Sequence, residues 1–423
     1  MWKRLAALAA LAIVPCAFAQ APSPPAPLTL DEAISRVARL HPDLRLPALQ
    51  RAAAAAGHDG AGFTPPLVFG VEVENALGTG ARRGLDGSEV TVSLAGVLER
   101  GGKLDARRAV AQANLDALAP QREIARLDLM AEVARRYLAV TAADNRHRIA
   151  LDDIEQRRRA VQAARLRLQA GASPVSTLLT TQAALAQAEL DRDRAIEAGR
   201  AARLSLATLW NAHEADFAPV SGDPLQLPAL QEFWQLAQLL ADTPELALIA
   251  GQARVREAQL QLARSQRRGD VSWQLGVRND RASGDIALVG GFNLPLVGTR
   301  RAEPDIRAAQ AELAMTALER ESRALQLQAT LAEAHGRYRT ARLEVARMDS
   351  DVLPQLQRAE KAAETAWRAG AIGYLEWAQL QAMHIEARQR QLDAALAAQT
   401  ALIEIQRLTG QPLLATASEG NTP

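Results

Sequence analysis

Histidine, cysteine and methionine are among the side chains that bind metal ions or take part in catalysis, and in this sequence they are few and scattered. It has six histidines, one cysteine and five methionines. No two histidines stand four residues apart, the spacing that brings two imidazoles to one metal on a helix, and no Cys or Met cluster suits a soft metal. We therefore predict no metal site, no cofactor and, for want of a nucleophile–base pair, no enzyme activity. The histidines are His41, His58, His147, His213, His335 and His384.

Residues 96–104 are rich in glycine, but they fail as a phosphate-binding loop. Their glycines are wrongly spaced, and Leu104 stands where a Ser or Thr would be needed. The three arginines Arg157, Arg158 and Arg159 are interpreted as a solvated helix face. The charge is balanced, with 49 Lys and Arg against 48 Asp and Glu. Such balance argues against a nucleic-acid partner. The repeats and the secondary-structure pattern are therefore better evidence of function than individual residues.

The N-terminus has the pattern of a secretory signal peptide. Lys3 and Arg4 precede an apolar run, and Ala17-Phe18-Ala19 offers a cleavage site. We predict a signal peptide over residues 1–19 and a mature protein of residues 20–423. Lipid attachment at Cys16, through a different cleavage point, is the alternative. No later segment is apolar for long enough to form a transmembrane helix.

The mature sequence is an internal duplication. Pro42 and Gly171 recur as Pro244 and Gly370, about 200 residues later. Each half reads as a helix, two alternating segments, a very long helix, a glycine turn and a return helix. We predict one protomer built from two repeats. The repeats are residues 28–218 and 229–414.

Segments of alternating polarity predict two β-hairpins, over residues 67–95 and 271–294. One face of each strand is apolar and free of charge, as expected of short strands that cross a membrane. A water-soluble sheet with one face on a core would show the same alternation, so both interpretations stay open. In lipid, four strands could not stand alone, because their edges would be unpaired. The residues predicted to face lipid are Leu67, Phe69, Val71, Val73, Val90, Val92, Leu94, Val271, Trp273, Leu275, Val277, Ile286 and Leu288.

The helices are too long for an ordinary globular domain. Between residues 102 and 170 apolar residues recur at heptad spacing, and Pro120 is the only proline. At 1.5 Å per residue this stretch would be about 100 Å long, provided that Pro120 only kinks the helix. Residues 174–211 and 42–62 form two shorter helices that together would match it. Short strand hairpins at the end of such long helices predict a cylinder. The predicted fold class is mainly α with a small β part.

Two copies of one motif follow the glycine turns. Arg167-Leu168-Gln169-Ala170-Gly171 precedes Leu178-Leu179-Thr180-Thr181-Gln182-Ala183, and Trp367-Arg368-Ala369-Gly370 precedes Leu375-Glu376-Trp377-Ala378-Gln379. In these features the whole mature chain resembles the TolC-like outer-membrane factors. The resemblance implies four transmembrane strands and long periplasmic helices per protomer. It also implies a homotrimer with a 12-strand β-barrel and a 12-helix α-barrel.

The resemblance also suggests which residues act at the periplasmic tip. Gly171 and Gly370, with Leu178 and Leu375, would form the turns that dock a periplasmic adaptor protein. Trp367 and Glu376 flank the second turn and are candidates for the gate. In a trimer Glu376 would form a ring of three carboxylates that favours cations. Pairing of Glu376 with a nearby arginine is the alternative.

The predicted function is that of a passive outer-membrane exit duct, partnered by an adaptor, an inner-membrane RND pump and outer-membrane lipid. Arg100-Gly101-Gly102-Lys103 and the segment from Leu294 to Ala311 resemble the heavy-metal efflux branch, which favours metal cations as cargo. A duct for drug efflux or type I protein secretion and a soluble periplasmic coiled-coil adaptor are the alternatives.

Overall fold

A computed structural model describes residues 27–217, 219–296 and 298–412. The side chains of Ala81, Gly298 and Thr299 are not described. The predicted signal peptide and Cys16 lie outside the described residues. So does the end of the second repeat, beyond residue 412.

Each half of the chain follows the same order of elements. In the first half, α1 (Leu30–Leu40) and α2 (Leu46–Ala61) precede β1 (Val68–Glu74) and β2 (Glu89–Leu98). The helices α3 (Lys103–Asp116), α4 (Leu118–Gln169) and α5 (Val175–Ala207) follow. In the second half, α6 (Phe233–Leu239) and α7 (Pro244–Ser265) precede β3 (Val271–Asp280) and β4 (Ile286–Asn293). The helices α8 (Gly298–Arg347), α9 (Leu353–Arg368) and α10 (Tyr374–Thr409) complete it.

Prolines interrupt the two longest helical stretches. We predicted one helix over residues 102–170, but the chain breaks at Ala117, between α3 and α4. The ring of Pro120 would clash with the carbonyl of Asp116, four residues earlier, which explains the break. In the second half Met348–Val352 forms a π-helical turn between α8 and α9. Pro354 lacks an N–H and would clash with the carbonyl of Ser350 in the same way.

The four strands form one antiparallel sheet in the order β1-β2-β3-β4. The strands nearly coincide with the predicted alternating segments, although β2 runs three residues beyond Ala95. Leu67 and Leu294 lie just outside the strands. Since β2 pairs with β3, the two hairpins join into a single sheet across the duplication.

The helices pack in long pairs below the sheet. Helix α4 packs against α5, α10 packs against α8 and α9, and α10 also meets α4. Each half has its own apolar core around a buried tyrosine. The Tyr137 hydroxyl donates to the carbonyl of Ser221 (2.6 Å), and the Tyr338 hydroxyl donates to that of Pro228 (2.5 Å). Both acceptors belong to the segment that links the halves, so the two tyrosines fasten this segment to the helices.

None of the helices in the described part of the chain is both long and apolar enough to cross a membrane.

Candidate channel wall and helical tip

One face of the sheet is apolar and open. The strand register places Val71, Val92, Val277 and Leu288 side by side across all four strands. All four are exposed, from 42% for Val92 to 77% for Leu288. No charged residue occupies this face within the four strands. A sheet with its apolar face on a water-soluble core would bury these side chains, and this sheet does not.

The predicted lipid-facing residues within the strands all lie on this face, and Leu67 continues it below β1. Leu67 and Trp273 both lie next to Gly96, within 3 Å of where a Cβ would stand on that glycine. Val90, Val271 and Trp273 are half-buried, and the other ten are exposed. We call this surface the apolar sheet face.

The opposite face of the sheet is polar and carries an ion network. Arg278 lies 3.3 Å from Glu74 and 3.0 Å from Glu89, and its Nε donates to the hydroxyl of Thr91 at 3.1 Å. Thr91 is 3% exposed, so this face is the more covered one. Glu72 is exposed and has no cation within 4 Å among the described residues. The polar face therefore has carboxylates that a single arginine does not neutralise.

Two ion pairs fix the junction between sheet and helices. Arg107 on α3 pairs with Glu99, which follows β2, and the Lys103 amine lies 2.7 Å from Asp270, which precedes β3. The backbone N–H of Arg100 also donates to Asp270 (3.1 Å). The hydrogen bond from Arg107 holds the pKa of Glu99 below its usual range, although burial opposes this. The Arg-Gly-Gly-Lys motif thus joins the end of one hairpin to the start of the other.

One predicted tip turn lies between α4 and α5, and the other lies between α9 and α10. Both are far along the chain from the strands. Gly171 and Gly370 have φ of +72° and +79°, a conformation that favours glycine. The structure brings the two turns together through Arg167. Its guanidinium donates to the carbonyl of Trp367 (2.5 Å) and lies 5.6 Å from the centre of the Trp367 ring. Sequence reasoning missed this role of Arg167, because its partner lies 200 residues away.

Trp367 belongs to an aromatic cluster inside the tip. It is 2% exposed, stacks on Trp377 at 4.6 Å between ring centroids, and meets the edge of Tyr374. The cluster packs against Ala160 of α4. Trp367 is therefore placed to hold the second turn against α4, and its ring does not line the surface of the protomer.

The other predicted tip residues lie at or near the surface. Leu375 is 75% exposed, and Leu178 is half-buried. Glu376 is exposed, and no cation lies within 4 Å of it among the described residues, so the alternative pairing with an arginine is not seen in the protomer. Glu376 is thus free to face a passage or a partner.

Buried or half-buried ionisable groups lie about three to five helical turns from the tip. Arg157 was interpreted as part of a solvated face, but its guanidinium lies 3.0 Å from the buried carboxylate of Asp153. Burial raises the pKa of Asp153, and Arg157 opposes the shift. Nearby, His384 Nδ1 lies 2.6 Å from Glu360. In the described part of the chain no group of three or more His, Cys, Asp or Glu residues could hold a metal ion.

Comparison with known families agrees with this architecture. The family model described as "Outer membrane efflux protein" matches residues 33–212. Residues 33–212 of this chain are therefore similar to the outer membrane efflux proteins. Proteins of this family are transport channels and not enzymes, and the chain shares their TolC-like channel fold.

Individual similar proteins match most of this chain. It is 27% identical over 323 residues to the cobalt-zinc-cadmium resistance protein CzcC of Cupriavidus metallidurans, covering 74% of this chain and 75% of the relative. The solved structure of CusC matches with a TM-score of 0.76 at 17% identity, over 93% of this chain and 95% of CusC. The solved structure of VceC from Vibrio cholerae matches with a TM-score of 0.73 at 15% identity, over 91% of this chain and 97% of VceC. These structural matches show the shared fold.

Proposed function

We propose that three copies of this chain form the outer-membrane exit channel of a tripartite efflux system and that its cargo is heavy-metal cations. An inner-membrane RND pump would supply the energy, and a periplasmic adaptor would join pump and channel. The observation that carries the proposal is the sheet, which exposes a charge-free apolar face on one side and has an ionic face on the other. That arrangement suits lipid outside and water inside.

The edges of the sheet favour assembly into a closed structure. Both β1 and β4 pair on one side only among the described strands. Unpaired backbone groups in lipid cost several kcal/mol each, so the edges must be covered by other strands. Three copies would supply twelve strands, an even number within the known range. Leu318 and Leu325 on α8 are exposed at heptad spacing, and the helices of a neighbouring protomer would cover them.

The charge of the polar face supports cations as the cargo. Within the strands this face carries Glu72, Glu74, Glu89 and Asp280 against the single Arg278. Each copy would thus contribute an excess of three negative charges to the interior, which favours cations over anions. The relative CzcC is named for resistance to cobalt, zinc and cadmium, which agrees with this charge.

The tip residues are proposed to dock the adaptor and to form the gate. Gly171 and Gly370 reverse the two helical hairpins, while Leu178 and Leu375 offer apolar surface beside them. Trp367 would act by holding the second turn against α4. Glu376, exposed and unpaired in the described protomer, would form a carboxylate ring at the narrow end.

Substrate class and location are tested together in the host organism. The gene is deleted, and growth is compared on zinc, cobalt and cadmium salts and on a panel of dyes, detergents and antibiotics. We expect loss of metal tolerance alone, restored by the intact gene, and recovery of the protein in the outer-membrane fraction. Loss of drug tolerance alone would assign the duct to drug efflux, and failure to export one secreted protein would assign it to type I secretion. A detergent-free soluble monomer in the periplasm would overturn the channel and favour an adaptor.

A further inference from the structure

A recess lined by arginines lies beside the junction between sheet and helices. It is formed by α3, the end of α7 and the turn that follows α7. Its basic residues are Arg264, Arg267 and Arg268, and Gly101 and Gly102 form part of its wall. The two glycines bring the backbone close to α7. A Cβ on Gly101 would lie 2.6 Å from the carbonyl oxygen of Ser265 and 3.2 Å from the Cβ of Arg268.

Most of the positive charge around the recess is free. Arg264 and Arg268 are exposed and have no carboxylate within 4 Å among the described residues, and the same holds for Arg100, which directly precedes Gly101 in the sequence. Arg267 pairs with Glu303 at 2.9 Å. Asp105 is the one carboxylate among the residues that line the recess. The unpaired side chains therefore leave a net positive charge.

The rotation of α3 directs part of the recess lining toward the side of the apolar sheet face. On α3, Lys103 and Arg107 point toward the ionic side, since they bind Asp270 and Glu99. A residue two positions further along is rotated by about 200° around a helix of 3.6 residues per turn. Asp105 of the recess, two residues after Lys103, is therefore directed to the opposite, outer side. Ala109, two residues after Arg107, is directed to the same side.

Arg100 is placed on this outer side by the strand register. Residues 90, 92, 94 and 98 of β2 point to the apolar sheet face, and Arg100 has the same parity just beyond the strand. Helices α3 and α7 are the two middle helices, flanked by α2 and α8 of the same chain. A neighbouring copy that pairs with the outer strands would meet α2 or α8, so the recess stays open in the assembly.

Exposed apolar residues also lie at the end of the sheet from which the recess residues continue. Phe63, Leu67, Leu98 and Leu296 are exposed at the helix end of the sheet. In the ten residues that adjoin each strand at this end, nine Lys and Arg stand against five Asp and Glu, whereas the loops at the other end carry three against two. Apolar surface bordered by unpaired arginines is the pattern of a site at a membrane interface, where guanidinium groups meet lipid phosphates.

We propose that this recess binds the phosphate headgroup of an anionic phospholipid, in the membrane leaflet that faces the helices. The inference rests on the proposed function, because it requires the apolar sheet face to lie in lipid. Arg100, Arg264 and Arg268 donate to the phosphate oxygens, and the acyl chains follow the apolar sheet face upward. Guanidinium suits this contact because its fixed fork of N–H donors matches phosphate.

The test uses the full-length protein, purified in mild detergent and reconstituted in nanodiscs of equimolar phosphatidylglycerol and phosphatidylcholine. The ratio of the two lipids retained after return to detergent is measured by native mass spectrometry. The variant R100Q/R264Q/R268Q removes the free charges of the recess. The matched control, R122Q/R165Q/R339Q, removes three exposed arginines of the long helices that have no carboxylate within 4 Å among the described residues. The triple lysine variant R100K/R264K/R268K keeps the charge without the fork.

We expect phosphatidylglycerol to be retained over phosphatidylcholine by the unaltered protein and by the control. Each arginine near a membrane surface contributes roughly a fivefold preference. The glutamine variant should lose the preference, and the lysine variant should keep part of it. Equal retention of both lipids by the unaltered protein would overturn the proposal, and so would an undiminished preference in the glutamine variant. Inorganic phosphate at matched ionic strength should not reduce retention, and displacement by it would show an ion site and not a lipid site.

The two proposals can fail separately. Conductance in bilayers of phosphatidylcholine alone reports the channel without any anionic lipid. A conducting protein without lipid preference would refute only the headgroup site. A protein that neither inserts nor conducts in any lipid would refute the channel itself.

Discussion

Glu376 is the residue on which ion preference at the tip depends if three copies meet there. It is exposed and unpaired in the described protomer, so in a trimer it would place three carboxylates at one level. We expect Glu376→Gln to lower the ratio of cation to anion permeability, because a ring of fixed negative charge attracts cations. Reversal potentials in planar bilayers under a salt gradient measure this ratio. Glu319→Gln, an exposed carboxylate far from the tip, is the control, and equal ratios in the two variants would remove Glu376 from the gate.

A substitution at Gly370 tests whether the tip turn is needed for efflux. Its φ of +79° is strained for any residue with a Cβ, and a β-branched side chain there costs on the order of 1–3 kcal/mol. We expect Gly370→Val to distort the turn and to abolish efflux in cells while the trimer still forms. The matched control is Gly373→Ala, because Gly373 has an ordinary φ of −74° and open space around its Cβ position. Normal efflux with Gly370→Val would show that this turn does not dock the adaptor.

At the scale of the strand, the two faces of the sheet should tolerate charge differently. Val71 lies in the row of exposed apolar residues that crosses all four strands. Arginine on a lipid-facing strand position near mid-membrane costs about 2–4 kcal/mol. We expect Val71→Arg to reduce the yield of heat-modifiable trimer in the outer membrane.

The adjacent Glu72 provides the matched control for this experiment. It is exposed on the polar face of the same strand, so Glu72→Arg should assemble normally. Thr91 also lies on the polar face, but it is 3% exposed and accepts a hydrogen bond from Arg278, so it is unsuitable. Equal yields from Val71→Arg and Glu72→Arg would show that the strands do not cross a membrane.

The junction between strands and helices should depend on pH through Glu99. Arg107 lowers the pKa of Glu99, so the pair stabilises the fold above the ordinary carboxyl pKa. This stability is lost as the pH falls through the lowered pKa of the folded state. We expect the melting temperature of the trimer to fall in acid, and Glu99→Gln to lower it at neutral pH while reducing its change with pH. Thermal unfolding followed by circular dichroism measures both, and an unchanged pH profile in Glu99→Gln would exclude this pair as a source of acid sensitivity.

For the whole molecule the prediction concerns how the sheet closes. If β1 of one copy lies beside β4 of the next, cysteines on these edge strands should form disulfides between copies. The single native cysteine, Cys16, lies in the predicted signal peptide. We expect the double variants Glu72→Cys/Ala287→Cys and Glu72→Cys/Val289→Cys to give covalent trimers, and no larger species, on non-reducing gels. Light scattering should give the mass of three chains. Glu72→Cys alone is the control, and monomers in every combination would contradict closure by three copies.

Local periodicity explains what the sequence determined by itself. Alternation identified the strands and their apolar face, because side chains of a strand point to opposite sides in turn. Heptad spacing identified the long helices, and the glycines at residues 171 and 370 marked the turns, since each signal depends on neighbours along the chain. The repeat then showed that both halves have the same order of elements. The resemblance to known outer-membrane factors suggested the family to which this chain is similar.

The tertiary structure decided which residues of different elements meet. Arg167 contacts Trp367 from the other half of the chain, and Arg157 is half-buried against Asp153 although its neighbours in sequence are charged. The π-helical turn at 348–352 was likewise not apparent from the sequence, and neither was the grouping of three arginines around one recess. These features depend on the rotation of each helix about its axis and on the stagger between helices. Periodicity shows which face of a helix is apolar, but only packing fixes which residue of a neighbouring helix that face meets.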